Sequence, residues 1–150
     1  MVKQRTFLLV DDDPDDTFLF GEVLHDIDPT VVFLTAANGQ EALDTLKSTH
    51  SLPDLIFLDL NMPRMGGVEC LSTLKADAAL KDIPVIIYTT SSQSRDIEET
   101  MRKGAVCFIT KPSNMKELTE ILSVLIKGLP AGLEGAIRSL SHKGTHFIVC

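Results

Sequence analysis

Tryptophan is absent from the chain, tyrosine occurs once, and cysteine occurs only at Cys70, Cys107 and Cys150. No two cysteines form a C-x-x-C pair and their number is odd, so neither a disulfide framework nor a zinc site is expected, and the sequence predicts reduced thiols. Cys70 reads as a small packing residue. The histidines, His25, His50, His142 and His146, have no ligand or phosphotransfer spacing and read as solvated surface groups. Positive charge is also scarce. Fourteen basic residues against 21 acidic ones leave no surplus for a clustered basic face, which argues against a DNA partner. Long hydrophobic runs are missing too: behind Lys3 and Arg5 the apolar stretch covers residues 7–10 alone, too short for a signal peptide or a membrane span. A soluble cytoplasmic protein without a membrane partner is the expectation.

What is present is an ordinary complement of core formers, 44% hydrophobic residues in a chain of 150, enough for one domain. Acidity is concentrated in one place. Residues 1–28 hold eight acidic side chains against Lys3 and Arg5, and so carry −6 of the formal −7. Acids that directly follow an apolar strand suggest a bound cation more than a solvated tail.

Strands are expected at residues 7–10, 31–34, 55–58, 85–88 and 106–109, each a short apolar run with turn residues at its ends. Between them run helical stripes. Phe20, Val23, Leu24 and Ile27 recur at i, i+3, i+4 and i+7 behind Pro14, and Asn38-Gly39 opens a helix burying Ala42, Leu43 and Leu46. Val68, Leu71 and Leu74 follow Gly66-Gly67, Ile97 and Met101 precede Gly104, and Leu118, Ile121, Leu122, Leu125 and Ile126 precede Gly128 and Pro130. Five strands alternating with five helices predict an α/β fold: a doubly wound five-stranded parallel sheet with helices on both faces. Strand order 2-1-3-4-5, flavodoxin-like, places a switch point between the first and third strands. Asp11, Asp12 and Asp59, at the carboxyl ends of those two strands, should then face one crevice.

Three carboxylates that close raise one another's pKa unless a cation joins them, and a hard divalent ion, Mg²⁺, suits oxygen donors. Two other patterns overlap this stretch. Asp11, Asp13, Asp15 and Glu22 match positions of a calcium loop, but Asp16 stands where glycine is required. Asp13-Pro14-Asp15-Asp16-Thr17 spells a phosphatase-like D-x-D-x-T, but it begins beyond the strand end. On the same edge of the sheet Thr89 ends the fourth strand and Lys111 the fifth. A carboxylate nucleophile, a metal, an ammonium and a hydroxyl are what phosphoryl transfer to Asp59 demands.

Asp11-Asp12 after a strand, Asp59-Leu60-Asn61-Met62-Pro63, Thr89 and Lys111-Pro112 together resemble the receiver domain of bacterial two-component response regulators, over about residues 5–127. Residues 10–16, 58–63 and 75–92 are similar to stand-alone receivers associated with bacteriophytochrome kinases. The resemblance implies a receiver-like three-layer sandwich in which Asp59 takes a phosphoryl group from the phosphohistidine of a histidine kinase or phosphotransferase. It implies Mg²⁺ held by Asp12, Asp59 and the carbonyl of Asn61, with Asp11 acting largely through water. Lys111 would pair with Asp59 and then with its phosphate, and Thr89 would swing in to bond the phosphoryl group. The switch aromatic of the family falls on Phe108, which lacks the hydroxyl of the common Tyr. Asn61 and Ser91 would tune the lifetime of the acyl phosphate, as could Thr90, at a usually small position; Gly66 replaces a frequent Asp.

The expected organisation is a receiver at residues 1–127 and a tail at 128–150 without an effector domain. Within that tail residues 132–137 could form a short helix, and residues 145–150 have strand propensity without a turn signal; a flexible or interface-seeking segment is expected. Output would pass through the face of the fourth helix, fifth strand and fifth helix to a kinase, a phosphotransferase or a second copy in a homodimer. The competing reading is a small Mg²⁺-dependent phosphohydrolase with an aspartyl-phosphate intermediate, which lacks a visible substrate pocket or cap. The switch, which is not a turnover enzyme, is preferred.

Overall fold

The computed structural model describes residues 4–141 and 148–150. Its elements follow the expected alternation: β1 (Thr6–Val10), α1 (Pro14–Ile27), β2 (Val32–Ala36), α2 (Gly39–Ser48), β3 (Leu55–Leu58), α3 (Gly67–Ala76), β4 (Val85–Thr89), α4 (Ser94–Arg102), β5 (Cys107–Thr110) and α5 (Met115–Gly128). Helix starts are set by side chains that satisfy free N–H groups. Asp13 accepts from the N–H groups of Asp15 and Asp16 with Pro14 at the first helical position, Asn38 accepts from Glu41, and Asn114 from Glu117.

The sheet order is β2-β1-β3-β4-β5-β6, with the first five strands parallel. Side chains alternate along each strand, so the sheet divides the core in two. Phe7 and Leu9 of β1 pack with Phe20 of α1 and with Leu118, Ile121 and Leu122 of α5. Leu8 and Val10 pack with Leu43 and Leu46 of α2 and Leu71 and Leu74 of α3. β3 and β4 are buried along their whole length, which is why they read as unbroken apolar runs.

Two expectations about the carboxyl-terminal part are corrected. Over its described residues, 128–141 and 148–150, the segment is docked and not a loose tail. After a 3₁₀ turn (Leu129–Ala131), α6 (Leu133–Ser141) packs on α5, and β6 (Ile148–Val149) adds a sixth, antiparallel strand to β5. Leu133, Ala136, Ile137 and Leu140 stand at i, i+3, i+4 and i+7 and join the α1/α5 side of the core. The crossing is close: a Cβ on Gly128 would lie 2.7 Å from the Cα of Ala136. β6 also covers backbone groups that an edge strand leaves unpaired.

The cysteines are not all free. Cys107 and Cys150 form a disulfide with a Cα separation of 4.1 Å, and only Cys70, buried on α3, is a free thiol among the described residues. Antiparallel register accounts for the pair. Phe108 lies opposite Val149 and Ile109 opposite Ile148, so the next rung sets Cys107 against Cys150. No local motif announces a bond across 43 positions of sequence. His25 and His50 are exposed as expected. His142 and His146, and the strand-prone residues Thr145, His146 and Phe147, lie outside the described residues.

Candidate functional site

Parallel pairing brings the ends of β1 and β3 side by side, and the chain leaves each strand through a carboxylate. The N–H of Asp59 donates to the carbonyl of Val10 at 2.9 Å, and the N–H of Asp11 donates to that of Ala36, also at 2.9 Å. Oxygen atoms of Asp11, Asp12 and Asp59 lie within 4.8 Å of one another. Asp11 and Asp59 are buried and Asp12 is exposed, so the cluster opens outward on one side. All-oxygen donors at this spacing fit a divalent hard cation, which relieves the repulsion among them.

The two oxygens of Asp59 have different surroundings. Oδ1 accepts from the Leu60 N–H at 2.8 Å and sits 3.5 Å from the Asn61 nitrogen. Oδ2 faces the ammonium of Lys111 at 3.7 Å, beyond hydrogen-bond reach. Lys111 extends from the end of β5, where its own N–H donates to the carbonyl of Thr89 at 2.7 Å. Its ammonium donates to Asp16 Oδ2 at 2.7 Å and lies 2.8 Å from Asp11 Oδ2. The Asp11 contact is ionic in character, since that oxygen has no aligned donor. Lys111 thus makes an ion pair with Asp59 at 3.7 Å but sits nearer to Asp11 and Asp16.

Burial alone would lower the pKa of Lys111, but the close carboxylates of Asp11 and Asp16 and the charge of Asp59 outweigh it and hold the group protonated, well above the ordinary lysine value. Burial pushes the Asp11 carboxyl up, while Lys111 and the Asp13 N–H pull it back down. The ammonium also lies 5.7 Å from the centre of the Tyr88 ring, a cation–π distance.

The family model described as response regulator receiver domain matches residues 7–123. The chain belongs to the response regulator receiver family. Response regulator Rcp1 of Synechocystis sp. is 34% identical over 125 residues, covering 79% of this chain and 84% of Rcp1. A crystal structure of the phosphorylated cyanobacterial phytochrome response regulator RcpA superposes with a TM-score of 0.75 at 34% identity, over 81% of this chain and 90% of that one. Rcp1 has also been solved in an Mn²⁺-bound form, which matches with a TM-score of 0.70 at 32% identity over 79% of this chain and 89% of that one. The protein-glutamate methylesterase/protein-glutamine glutaminase of Clostridium acetobutylicum is 40% identical over 123 residues, 80% of this chain, but the chain spans only 34% of that protein. The receiver fold, the order 2-1-3-4-5 within the larger sheet, and the place of this chain among two-component signalling proteins are thereby established; no described helix is long and apolar enough to cross a membrane.

Among the residues expected in the receiver site, Asp11, Asp12, Asp59 and Lys111 meet in one hollow. Thr89 ends β4 fully buried, and its hydroxyl has no hydrogen-bond partner, a costly state for a buried polar group. Asn61 is exposed and shares an open polar groove with Thr90, Ser91 and Asp96. Within it the Ser91 hydroxyl donates to Asp96 Oδ2 at 2.6 Å, so it is engaged with the start of α4 and not with the cluster of Asp11, Asp12 and Asp59. Phe108 is turned inward, in the cluster against which Ile97 and Met101 of α4 pack. Asp13 is spent on capping α1, which answers the phosphatase-like pattern.

Sequence reasoning missed three contributors. Asp16 entered only as the residue standing where a calcium loop needs glycine and as part of the phosphatase-like pattern, whereas in the structure it holds the Lys111 ammonium. Arg64 takes a left-handed backbone with φ of 65° in the turn after Asp59, which a non-glycine residue adopts at a cost. Gly67 donates its N–H to the Leu60 carbonyl at 3.0 Å, and a Cβ there would stand 2.7 Å from the Cα of Leu60 and collide with the carbonyl of Asp59. Gly67→Ala is expected to lower unfolding free energy by about 2–3 kcal/mol and to weaken divalent-ion binding, because the turn holding Asp59 must move. Denaturant unfolding and a metal titration check both effects.

Tyr88 offers a spectroscopic check on burial at the site. Burial raises its phenol well above the ordinary value, with Lys111 acting in the lowering direction and the nearby acids Asp16 and Asp11 adding a smaller raise. Because it is the only tyrosine, its phenolate absorbance is expected to stay absent in the folded chain through the pH range near 10 where a free phenol ionises. The unfolded chain ionises there, so stability present below that pH falls as pH rises from the unfolded value toward the folded one. A phenolate signal from folded protein at the ordinary tyrosine pKa would contradict the burial.

Proposed function

We propose that Asp59 Oδ2 accepts the phosphoryl group of a phosphohistidine on a sensor histidine kinase or histidine phosphotransferase, and that Thr89, Lys111 and Phe108 turn the event into a changed surface. One observation carries this: Oδ1 of Asp59 is fixed by the Leu60 N–H, while Oδ2 has no hydrogen bond among the described residues and faces the Lys111 ammonium at 3.7 Å, in a carboxylate that belongs to the acid cluster. An electron pair on Oδ2 forms the new P–O bond as the P–N bond of the phosphohistidine breaks, and the imidazole leaves with that bond's electrons.

Asp11, Asp12, Asp59 and the Asn61 carbonyl are the groups that would hold Mg²⁺, which supplies charge neutralisation for the transferring phosphoryl oxygens. Lys111 brings a protonated ammonium to the same side. The Thr89 hydroxyl, buried without a partner, gains an acceptor when an oxyanion is placed on Asp59, so the unphosphorylated state carries a cost that phosphorylation relieves. Movement of Thr89 along the end of β4 alters the space beside Phe108 on β5. Asn61 and Ser91, on the shared groove, tune access of water to the acyl phosphate. β6 already lies on the outer edge of β5, so a partner or second copy using the α4–β5–α5 face meets the carboxyl-terminal segment as well.

The receiver at residues 1–127 acts as a switch that catalyses its own phosphorylation and dephosphorylation and is not a turnover enzyme. Exchange with a kinase of this class takes place in the cytoplasm. Incubation with acetyl phosphate and Mg²⁺ is expected to give a stoichiometric phosphoryl adduct on one aspartate, lost when the metal is chelated. Multiple-turnover hydrolysis of phosphate esters would instead support a phosphohydrolase.

A further inference from the structure

We propose that Asp16 is a positioning residue for Lys111: in the resting chain it holds the ammonium on the α1 side of the site and competes for it with a phosphoryl group on Asp59. The inference rests on Asp59 being the phosphoryl acceptor. Three carboxylates surround a single ammonium, and they are unequal. Asp16 Oδ2 takes an aligned hydrogen bond at 2.7 Å, Asp11 Oδ2 an unaligned ionic contact at 2.8 Å, and Asp59 Oδ2 stands off at 3.7 Å. The directional bond goes to the residue farthest from the chemistry.

Asp16 is itself fixed. It lies in the first turn of α1, and its N–H donates to the capping carboxylate of Asp13 at 3.2 Å. Asp16, Lys111, Tyr88 and Leu118 line a pocket of about 160 Å³ between α1 and the β5–α5 turn, so the lysine has room to sit back from Asp59. A lysine ammonium has three donors and one charge. While Asp16 takes a share of both, less remains for an anion on Asp59, and the side chain must be drawn toward that anion when it forms. Asp16 thereby sets the balance between a Lys111 bound to α1 and a Lys111 bound to the phosphoryl group.

The test is a double-mutant cycle read with beryllofluoride in Mg²⁺, a phosphoryl mimic that attaches to the acceptor carboxylate. Affinity is followed by the fluorescence of Tyr88, the only tyrosine in a chain without tryptophan, and in parallel by intact-mass labelling with acetyl phosphate. Asp16→Asn is expected to bind beryllofluoride roughly two- to fivefold more tightly than wild type, the range for a partly exposed charge pair. Asp16→Glu, which keeps a carboxylate for the lysine, should behave as wild type. In a Lys111→Ala background Asp16→Asn should have no effect, because its route of action is gone.

Equal affinity of wild type and Asp16→Asn would overturn the proposal. So would the same gain in the Lys111→Ala background, since that is the signature of charge acting through space. Should Asp16→Asn fail to fold by circular dichroism, Asp16→Ser replaces it in the cycle with the same expected gain. If wild type takes neither beryllofluoride nor an acetyl-phosphate label, the acceptor reading of Asp59 falls and this inference with it; a labelled wild type with an unresponsive Asp16→Asn removes the inference alone.

Discussion

Asp59→Asn is expected to abolish phosphoryl labelling while raising the melting temperature. The asparagine oxygen can still accept from the Leu60 N–H, the bond that anchors Oδ1 at 2.8 Å, so the turn keeps its shape. At the position of Oδ2 an amide nitrogen replaces a carboxylate oxygen. Its lone pair is delocalised into the carbonyl, and it cannot form the acyl phosphate. The same substitution removes one of three clustered negative charges, and the charge of Asp59 is among the causes that raise Asp11. Relief of that repulsion is worth about 0.5–1.5 kcal/mol, or roughly 1–5 °C in a domain of this size. Added Mg²⁺ should stabilise wild type more than the variant, because a ligand that binds the folded state stabilises it in proportion to its affinity. Intact mass after acetyl phosphate and thermal unfolding with and without metal measure all three. An adduct persisting in the variant would place the acceptor elsewhere.

Reduction of the Cys107–Cys150 bond, or Cys150→Ser, should weaken the hold of the last strand and lower the unfolding free energy by about 2–4 kcal/mol. The bond closes a loop with a sequence separation of 43, and chain entropy for such a loop comes to about 4 kcal/mol before any local loss is subtracted. β6 has only Ile148 and Val149 to pair with β5, too short a strand to stay docked on its own strength. The five-stranded receiver core does not depend on it, because β5 is already paired with β4 and covered by α4 and α5. Limited proteolysis should therefore cut the carboxyl-terminal segment first in reduced protein, while the parallel sheet stays protected. Equal denaturation midpoints and equal cleavage in oxidised and reduced samples would contradict this. In a reducing compartment the pair is a dithiol, so an assay under reducing conditions addresses the form with a looser β6.

Most of the receiver was legible because its signals are local. Apolar runs of four or five residues ending at turn formers are too short for helices and suit buried strands, and 3.6-residue stripes between them suit helices packed on a sheet. Pro14 and Asn38 mark helix starts through groups they lack or supply. Parallel strands require crossovers of one hand, and with the order 2-1-3-4-5, which rests partly on the receiver resemblance, the ends of β1 and β3 come together, carrying Asp11, Asp12 and Asp59 with them. The acid cluster is thus a consequence of pattern and topology, and the placement of Thr89 and Lys111 at neighbouring strand ends follows from the same reasoning.

What the chain by itself could not reveal depends on distance and register. Asp16 is 95 positions from Lys111, and nothing in a first-turn acid says which cation it will meet; only the docking of α1 beside the end of β5 decides that. The pairing of Cys107 with Cys150 needs an antiparallel register that no turn residue specifies, and the stripe on α6 gains meaning only once α5 presents an apolar face for it. The unpartnered hydroxyl of Thr89 is likewise a property of its enclosure, not of its type. Periodicity and turn chemistry act over a few residues and settle the elements, the sheet and the residue types at its edge. Which side chain holds which is decided by the packing of elements far apart in the chain, where small differences in distance select among equivalent charges.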